Sequence, residues 1–339
     1  MDRLSQPAHD IVFVVFDDVQ LLDFAGPLQT FVTAGERRRA AGGKGFAATA
    51  TFDYRVRLVS RGGGAVRTSS GVVVMTDPLP TRLDETASVI VAGGYGVEAA
   101  MADKTLLRWL KRQAKVVRRM CSVCSGAFLL AQAGLLDGRR AVTHWADCDK
   151  FRRMYPDTLL EPEAIYTEDQ GLWTSAGITA GIDLALALIE EDWNAALANA
   201  AARWLVVYAK RPGGQSQFSD SLELAARDGD GAFSELHAWI SANLTKELPL
   251  SALAEKAGMS ERTLSRKYKE TIGVPPASAV RLLRAQHARM LLTSTASSLK
   301  TIARQSGFGS AEQMNAALIK VYGAAARLLR ETSLRRERG

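Results

Sequence analysis

Cysteine is scarce in this 339-residue sequence, which has only Cys121, Cys124 and Cys148. Three is too few for a disulfide framework and odd in number, which points to a reducing compartment and leaves room for a functional thiol. Long hydrophobic runs are also missing. The longest apolar stretch, Ile178 to Ile189, carries Asp183 and falls well short of the roughly 20 residues that a membrane-spanning helix needs. The opening MDRLSQPAHD has no signal-peptide pattern. These absences lead to the expectation of a cytoplasmic protein with no membrane partner.

The composition that remains, 47% hydrophobic and 23% charged, is that of an ordinary globular protein. The chain is longer than a single core usually serves, so two domains are expected. Charge is unevenly shared between them. Residues 231–339 hold 17 Lys/Arg against 8 Asp/Glu, whereas residues 1–230 hold 26 against 28. A positive field confined to one module suits phosphate binding, because neutralising phosphates and releasing counterions supplies most non-specific DNA affinity.

Ile11 to Phe16 (IVFVVF) reads as a strand covered on both faces, and a helical stretch opens at Asp23. Further strands are expected at Tyr54 to Ser60, Val72 to Met75, Ser88 to Ala92 and Val116 to Val123, the last followed by the helical SGAFLLAQAGLL. Strands alternating with helices predict an α/β fold, a flavodoxin-like, mainly parallel sheet with flanking helices. Glu36 to Ala50 is read as a surface loop. Helical patterns follow from Thr174, until Pro212, Gly213 and Gly214 break them. The expected division is residues 8–210 for the α/β domain, 211–231 for a linker and 232–333 for an all-α domain.

Within that last domain, LSALAEKAGMSERTLSRKY from Leu250 reads as two short helices around a turn at Gly258. Leu250, Leu253, Ala254, Ala257, Leu264 and Tyr268 share an inner face. Ser260 caps the second helix, leaving Arg262, Thr263, Ser265, Arg266 and Lys269 on its outer faces. A helix with this edge is built to enter a major groove, where Arg reaches guanine and Ser or Thr bonds phosphate. The pattern repeats: Ile302-Ala303 and Gly307 stand where Leu253-Ala254 and Gly258 stood, and one inserted residue later Ser310, Met314 and Leu318 match Ser260, Leu264 and Tyr268. The stretch from Ala277 to Thr293 joins the two units.

These segments, with IGVPPASAVRLLRAQHARMLL and IARQSGFGSAEQM, resemble the AraC/XylS family of transcriptional regulators over about the last hundred residues. The resemblance implies double-stranded DNA as partner. It also brings out a departure: the family's second recognition helix usually carries basic residues and a Phe, followed by Gly-x-x-Pro, where this chain has Asn315-Ala-Ala-Leu318 and Gly323-Ala-Ala-Ala326. Fewer phosphate contacts and a less fixed final helix are expected, with Gln313 and Asn315 left as the polar residues of that helix and the first unit dominating affinity.

In the first domain, Cys124 falls between an expected strand and a helix opening at Ser125-Gly126, where a nucleophile elbow would hold it and the helix N-terminus would favour thiolate. Asp23 and His144 are possible partners at the same sheet edge, and Gly93-Gly94 with Ser125 could offer a backbone N–H cradle. The segments FDDVQLLDFAGPLQTF, VAGGYG, VCSGAFLLAQAGLLDGRRAVTHW and TSAGITAGIDLAL resemble the ThiJ/PfpI branch of the class I glutamine amidotransferase-like superfamily. Joined to the AraC-type module, the chain resembles the GlxA family of regulators. The resemblance implies a reactive or ligand pocket at Cys124, Asp23 and His144, in a domain that senses a small molecule and dimerises. We expect a homodimer that also contacts RNA polymerase.

Two rivals follow from the same residues. Cys121, Cys124, His144 and Cys148 have zinc-ligand spacing, but a strand residue and an elbow residue would have to converge on one tetrahedron, so neither metal nor cofactor is expected. The chain could instead be a cysteine-dependent hydratase or amidase carrying a DNA-targeting module. Asp23 as a plain helix cap and His144 as a structural histidine beside Trp145 are the bland readings of those two residues.

Overall fold

A computed structural model describes residues 9–41, 54–207, 211, 213, 224, 226–295 and 297–330. The chain divides into two compact units, Met1–Gln217 and Phe218–Gly339.

Eight strands build the sheet of the first unit: β1 (His9–Val14), β2 (Tyr54–Ser60), β3 (Gly62–Arg67), β4 (Val73–Pro78), β5 (Ser88–Val91), β6 (Arg119–Val123), and, later in the chain, Tyr166–Asp169 and Leu172–Ser175. Between β6 and that last pair lie two-residue strands at Arg140–Ala141 (β7) and Leu159–Leu160 (β8), which pair with each other, so the last two of the sheet are β9 and β10. The order is β3-β4-β2-β1-β5-β6-β10-β9, with antiparallel pairing only at the two edges. It is a mainly parallel sheet with flanking helices, as the alternation of strand and helix patterns led us to expect.

The run IVFVVF is apolar throughout because both faces of β1 are covered. Ile11, Phe13 and Val15 pack with residues of α1 (Leu21–Ala41), α6 (Ala180–Asp192) and α7 (Ala195–Trp204). Val12 and Val14 pack on the other side with α2 (Val97–Ala102), α3 (Lys104–Gln113) and α4 (Gly126–Gln132). One further short helix, α5 (Cys148–Met154), seats Phe151 edge-on to Phe128, with ring centroids 4.9 Å apart. The α1 and α6 helices approach closely: a Cβ on Gly26 would lie 3.1 Å from Ile182, and one on Gly181 would lie 2.8 Å from Pro27. That approach carries the first turn of α1, with Asp23, to the loop entering α6.

In the second unit, α8 (Ser234–Ala242), α9 (Leu250–Lys256), α10 (Glu261–Ile272), α11 (Pro276–Ser294), α12 (Leu299–Gln305) and α13 (Ala311–Tyr322) form two small cores. Helix α11 serves both. Its Ala279, Val280 and Leu283 pack with Leu253, Leu264 and Tyr268, while Ala285, Ala288 and Leu292 pack with Ile302, Met314 and Leu318. Two further contacts tie the halves together. The Arg284 guanidinium donates to the carbonyls of Leu244 (2.9 Å) and Lys246 (2.6 Å). Gly307, at φ +77°, sits so close that a Cβ there would lie 1.7 Å from the Leu244 oxygen. Among the described residues no helix is long and apolar enough to cross a membrane.

Several local expectations need correction. Helix α1 runs to Ala41, so the Glu36–Ala41 part of the expected loop is helical; residues 42–50 lie outside the described ones. The strand expected from Val116 starts at Arg119. Arg119 is only 2% exposed, its guanidinium paired with Asp192 and, at 3.1 Å, with Glu191, which is how a strand tolerates a cation in mid-pattern. Strand β3 (GGGAVR) has no apolar pattern to announce it and exists by antiparallel pairing with β4. Of the expected linker, Arg211 is fixed to Asp183 at 2.6 Å, whereas Leu224 is buried in the core of the second unit; residues 212, 214–223 and 225 lie outside the described ones.

Candidate functional site

Cys124 follows β6 directly and has φ +57°, a left-handed conformation for a residue with a side chain. Strain of this kind costs about 1–3 kcal/mol and persists only where its surroundings enforce it. Here the enforcement is visible. The Cys124 N–H donates to the Ser175 carbonyl (2.9 Å), the Thr143 hydroxyl donates to the Cys124 carbonyl (3.0 Å), and α4 opens at once with Gly126, where a Cβ would lie 2.3 Å from the Val91 oxygen. Two more glycines wall the thiol. A Cβ on Gly93 would lie 2.9 Å from the Cys124 Cβ, and one on Gly177 would lie 2.8 Å from its Sγ. The elbow expected from VCSGA is therefore present, with its cysteine buried.

Asp23 is fully buried beside it. Its Oδ1 accepts from the Ile178 N–H (2.8 Å) and its Oδ2 from the Gly93 N–H (3.1 Å), while the Cys124 thiol also bonds to it. Burial raises the Asp23 carboxyl to about 6, ahead of the two N–H bonds and the thiol, which favour its ionised form. Burial, and next the Asp23 charge, pushes the Cys124 thiol well above its ordinary range; the Ser125 N–H acts the other way and does not prevail. The thiolate expected from the helix N-terminus is thus corrected: the group at neutral pH is a thiol donating to a carboxylate. Asp23 is a far weaker base than the thiolate it would create, so the pair lacks the driving force of a cysteine nucleophile with its base.

The glycine cradle is also corrected. The Gly93 N–H is taken by Asp23, and the Gly94 N–H donates to the Ser125 Oγ (2.9 Å), so neither is left for an oxyanion. His144 stands one residue after Thr143, which holds the Cys124 carbonyl, and opens the short turn Trp145–Asp147. It is half-buried and tilted against Trp145, and burial lowers its pKa. The charge that reaches both His144 and Cys124 is Asp147. Sequence reasoning passed over Asp147, Gly177 and Ile178. Ile178, at φ +53°, is a β-branched residue in a conformation that such residues rarely adopt; only the folded loop reveals it. Among the described residues no group of three or more His, Cys, Asp and Glu is placed to hold a metal; Cys121 is buried in the core against α1 and α6.

The second unit carries the candidate nucleic-acid interface. Helix α10 is capped by Ser260, whose Oγ accepts from the Thr263 N–H (3.2 Å), and ends on Gly273 at φ +83°. Leu264 and Tyr268 are buried, which turns Arg262, Arg266 and Lys269 outward to exposed positions, with Thr263 and Ser265 at the margin. Lys267, not anticipated, joins the exposed cations. Arg266 pairs with Glu270 at 3.2 Å, an exposed i,i+4 contact that a phosphate or base can displace cheaply. Helix α13 repeats the frame, with Ser310 Oγ accepting from the Gln313 N–H (3.2 Å). Its polar residues are partly engaged. Gln313 Oε1 accepts from the Gly309 N–H (3.2 Å), and Asn315 Oδ1 from the Ala326 N–H (2.8 Å). Asn315 thereby caps the start of the following helix from 11 residues away, which supplies the fixing that a Pro at position 326 would have given.

Comparison with known proteins agrees with both halves. The model of the DJ-1/PfpI family matches residues 9–191, and that of a helix-turn-helix domain matches residues 253–332. The HTH-type transcriptional regulator GlxA of Rhizobium meliloti (strain 1021) is 30% identical over 284 residues, covering 83% of this chain and 86% of its own. Isonitrile hydratase of Pseudomonas putida is 35% identical over 193 residues, 54% of this chain and 72% of that protein. A solved ThiJ/PfpI family protein from Pseudomonas syringae superposes with a TM-score of 0.50 at 23% identity, over 61% of this chain and 78% of that one, and so shares the fold. The chain belongs to the DJ-1/PfpI family, in the GlxA-type branch of transcriptional regulators that carry an AraC-type helix-turn-helix domain behind it.

Proposed function

We propose that this regulator recognises a specific two-part DNA site through α10 and α13, and that its DJ-1/PfpI unit binds a small-molecule effector at the Cys124 elbow. The observation that carries the DNA reading is the outward face of α10, where Arg262, Arg266, Lys267 and Lys269 stand exposed on a capped helix. Arg262 and Arg266 serve as base or phosphate contacts, Thr263, Ser265 and the Ser260 cap as phosphate contacts, and Gln313 with Ser310 as the lesser reader. Selection of sites from random duplexes, followed by titration at several salt concentrations, tests it. Arg262→Ala with Arg266→Ala should weaken binding at least tenfold, at about 1–3 kcal/mol per lost base contact, and flatten the salt dependence. The reading is wrong if that pair leaves binding intact while changes at Gln313 and Asn315 abolish it.

The buried thiol, bonded to a carboxylate and held in strained backbone, supports binding without turnover. Asp23, Cys124, Ser125 and His144 would line the effector site in a cytoplasmic homodimer, and effector binding would bias how two C-terminal modules engage paired half-sites and RNA polymerase. Such a bias requires the effector to bind the two arrangements unequally. A metabolite screen by thermal shift finds the effector. DNA affinity that responds to it, and does so still in Cys124→Ala, supports sensing. Cys124-dependent turnover of isonitriles or amides would make the chain an enzyme instead.

A further inference from the structure

The capping serines and the terminal glycines of α10 and α13 are each 50 residues apart, Ser260 with Ser310 and Gly273 with Gly323, and each helix is 12 residues long. The core positions keep this register, Leu264 with Met314 and Tyr268 with Leu318, all four fully buried. Three of the outward cations of α10 therefore have outward counterparts on α13, whereas that of Lys267, Ala317, is buried. Arg262 corresponds to Glu312, Arg266 to Ala316 and Lys269 to Ile319. Ala316 is exposed, and Ile319, one turn further along the same face, is 47% exposed. At the positions where the first helix presents Arg262, Arg266 and Lys269, the second presents one acid and an apolar strip, flanked by the exposed Gln313 and Lys320.

Phosphate offers nothing to such a strip, and Glu312 repels it. The floor of the major groove does offer a partner, because each thymine presents its C5-methyl group there. The strip lies on a helix that α11 builds into the same module as α10, with Arg284 and Gly307 tying the two halves together. We infer that α13 reads thymine methyl groups through Ala316 and Ile319, so that the second half-site is rich in A·T pairs while the first contains the guanines met by α10. This inference rests on the DNA-binding reading and adds to it the base class of the second half-site.

The test uses the full chain and a duplex obtained by selection from random sequence. Each thymine of the second half-site is replaced in turn by deoxyuridine, which pairs alike but lacks the methyl group. One or two replacements should weaken binding about fourfold each, the change expected for losing burial of one methyl-sized group. Replacements in the first half-site should change nothing. Ile319→Ala should abolish part of this sensitivity while leaving first-half contacts intact, which shows in the same experiment that the variant is folded. Uniform indifference to deoxyuridine overturns the inference, as does an Ile319→Ala variant that binds DNA like the parent but loses transcriptional output, which would give the strip to a protein. Failure to select any DNA would sink the DNA-binding reading itself, a different result.

Discussion

Asp23 sets burial against hydrogen bonding within one carboxyl group. Two backbone N–H groups and a thiol favour its ionised form, yet burial prevails and raises it to about 6. A carboxyl that is raised on folding holds its proton more tightly in the folded state, so its contribution to stability is full at acid pH and is lost as pH climbs through 6. The shift from the ordinary carboxylate value corresponds to about 3 kcal/mol. Asparagine is uncharged like the neutral acid and keeps one oxygen to accept, though its NH2 carries two N–H donors, so Asp23→Asn should be more stable than the parent at pH 7, with the difference vanishing near pH 4 in urea titrations of the first unit. A variant less stable at pH 7 would show that the two N–H bonds outweigh burial. The neighbouring thiol gives a second prediction. Alkylation of Cys124 should be slower than that of a free cysteine at pH 7 and still be rising beyond pH 9; a plateau below pH 8 would contradict the buried thiol described above. Only part of this was legible in the sequence. The elbow could be read from VCSGA because strand, cysteine and Gly126 are adjacent there, but the groups that fix Asp23 come from Gly93 and Ile178, 70 and 155 residues away, and nothing local records where their N–H groups point.

At the scale of the helix-turn-helix elements, the inner and outer faces of α10 follow from its apolar spacing alone, and Ser260 marks its start by its chemistry, whereas its end at Gly273 is known from the fold. Helix α13 was legible to the same degree, but not the role of Asn315. Read from sequence, Asn315 is a polar residue on a recognition helix; folded, its side-chain oxygen is the cap of the next helix. Asn315→Ala should therefore cost about 1 kcal/mol in the second core, seen as faster amide exchange of Ala326 and its successors, with little loss of first-half DNA contacts. If instead the substitution abolishes DNA binding without altering exchange, Asn315 is a base reader after all. Strand β3 shows the opposite limit. Its glycines carry no period, and its existence depends on a hairpin partner that pattern reading cannot supply.

For the molecule as a whole, the expectation of an α/β unit followed by a helical one holds because each is announced by its own period. Charge followed the same division. What the sequence did not show is the way α11 spends one half of its length in each small core, with Gly307 seated against Leu244 as a lock. Gly307→Ala would need to displace a carbonyl and adopt a positive φ, and should loosen the second helix-turn-helix before the first, measurable as a loss of second-half protection in footprints while the first half stays covered. The 19 residues of α11 amount to a rod of about 28 Å, close to the ~34 Å of one DNA turn. Such a rod acts as a ruler. On the proposed two-part site, five base pairs inserted between the half-sites would turn the second away from the protein and ten would move it out of reach, so this helix would set their spacing before any base is read.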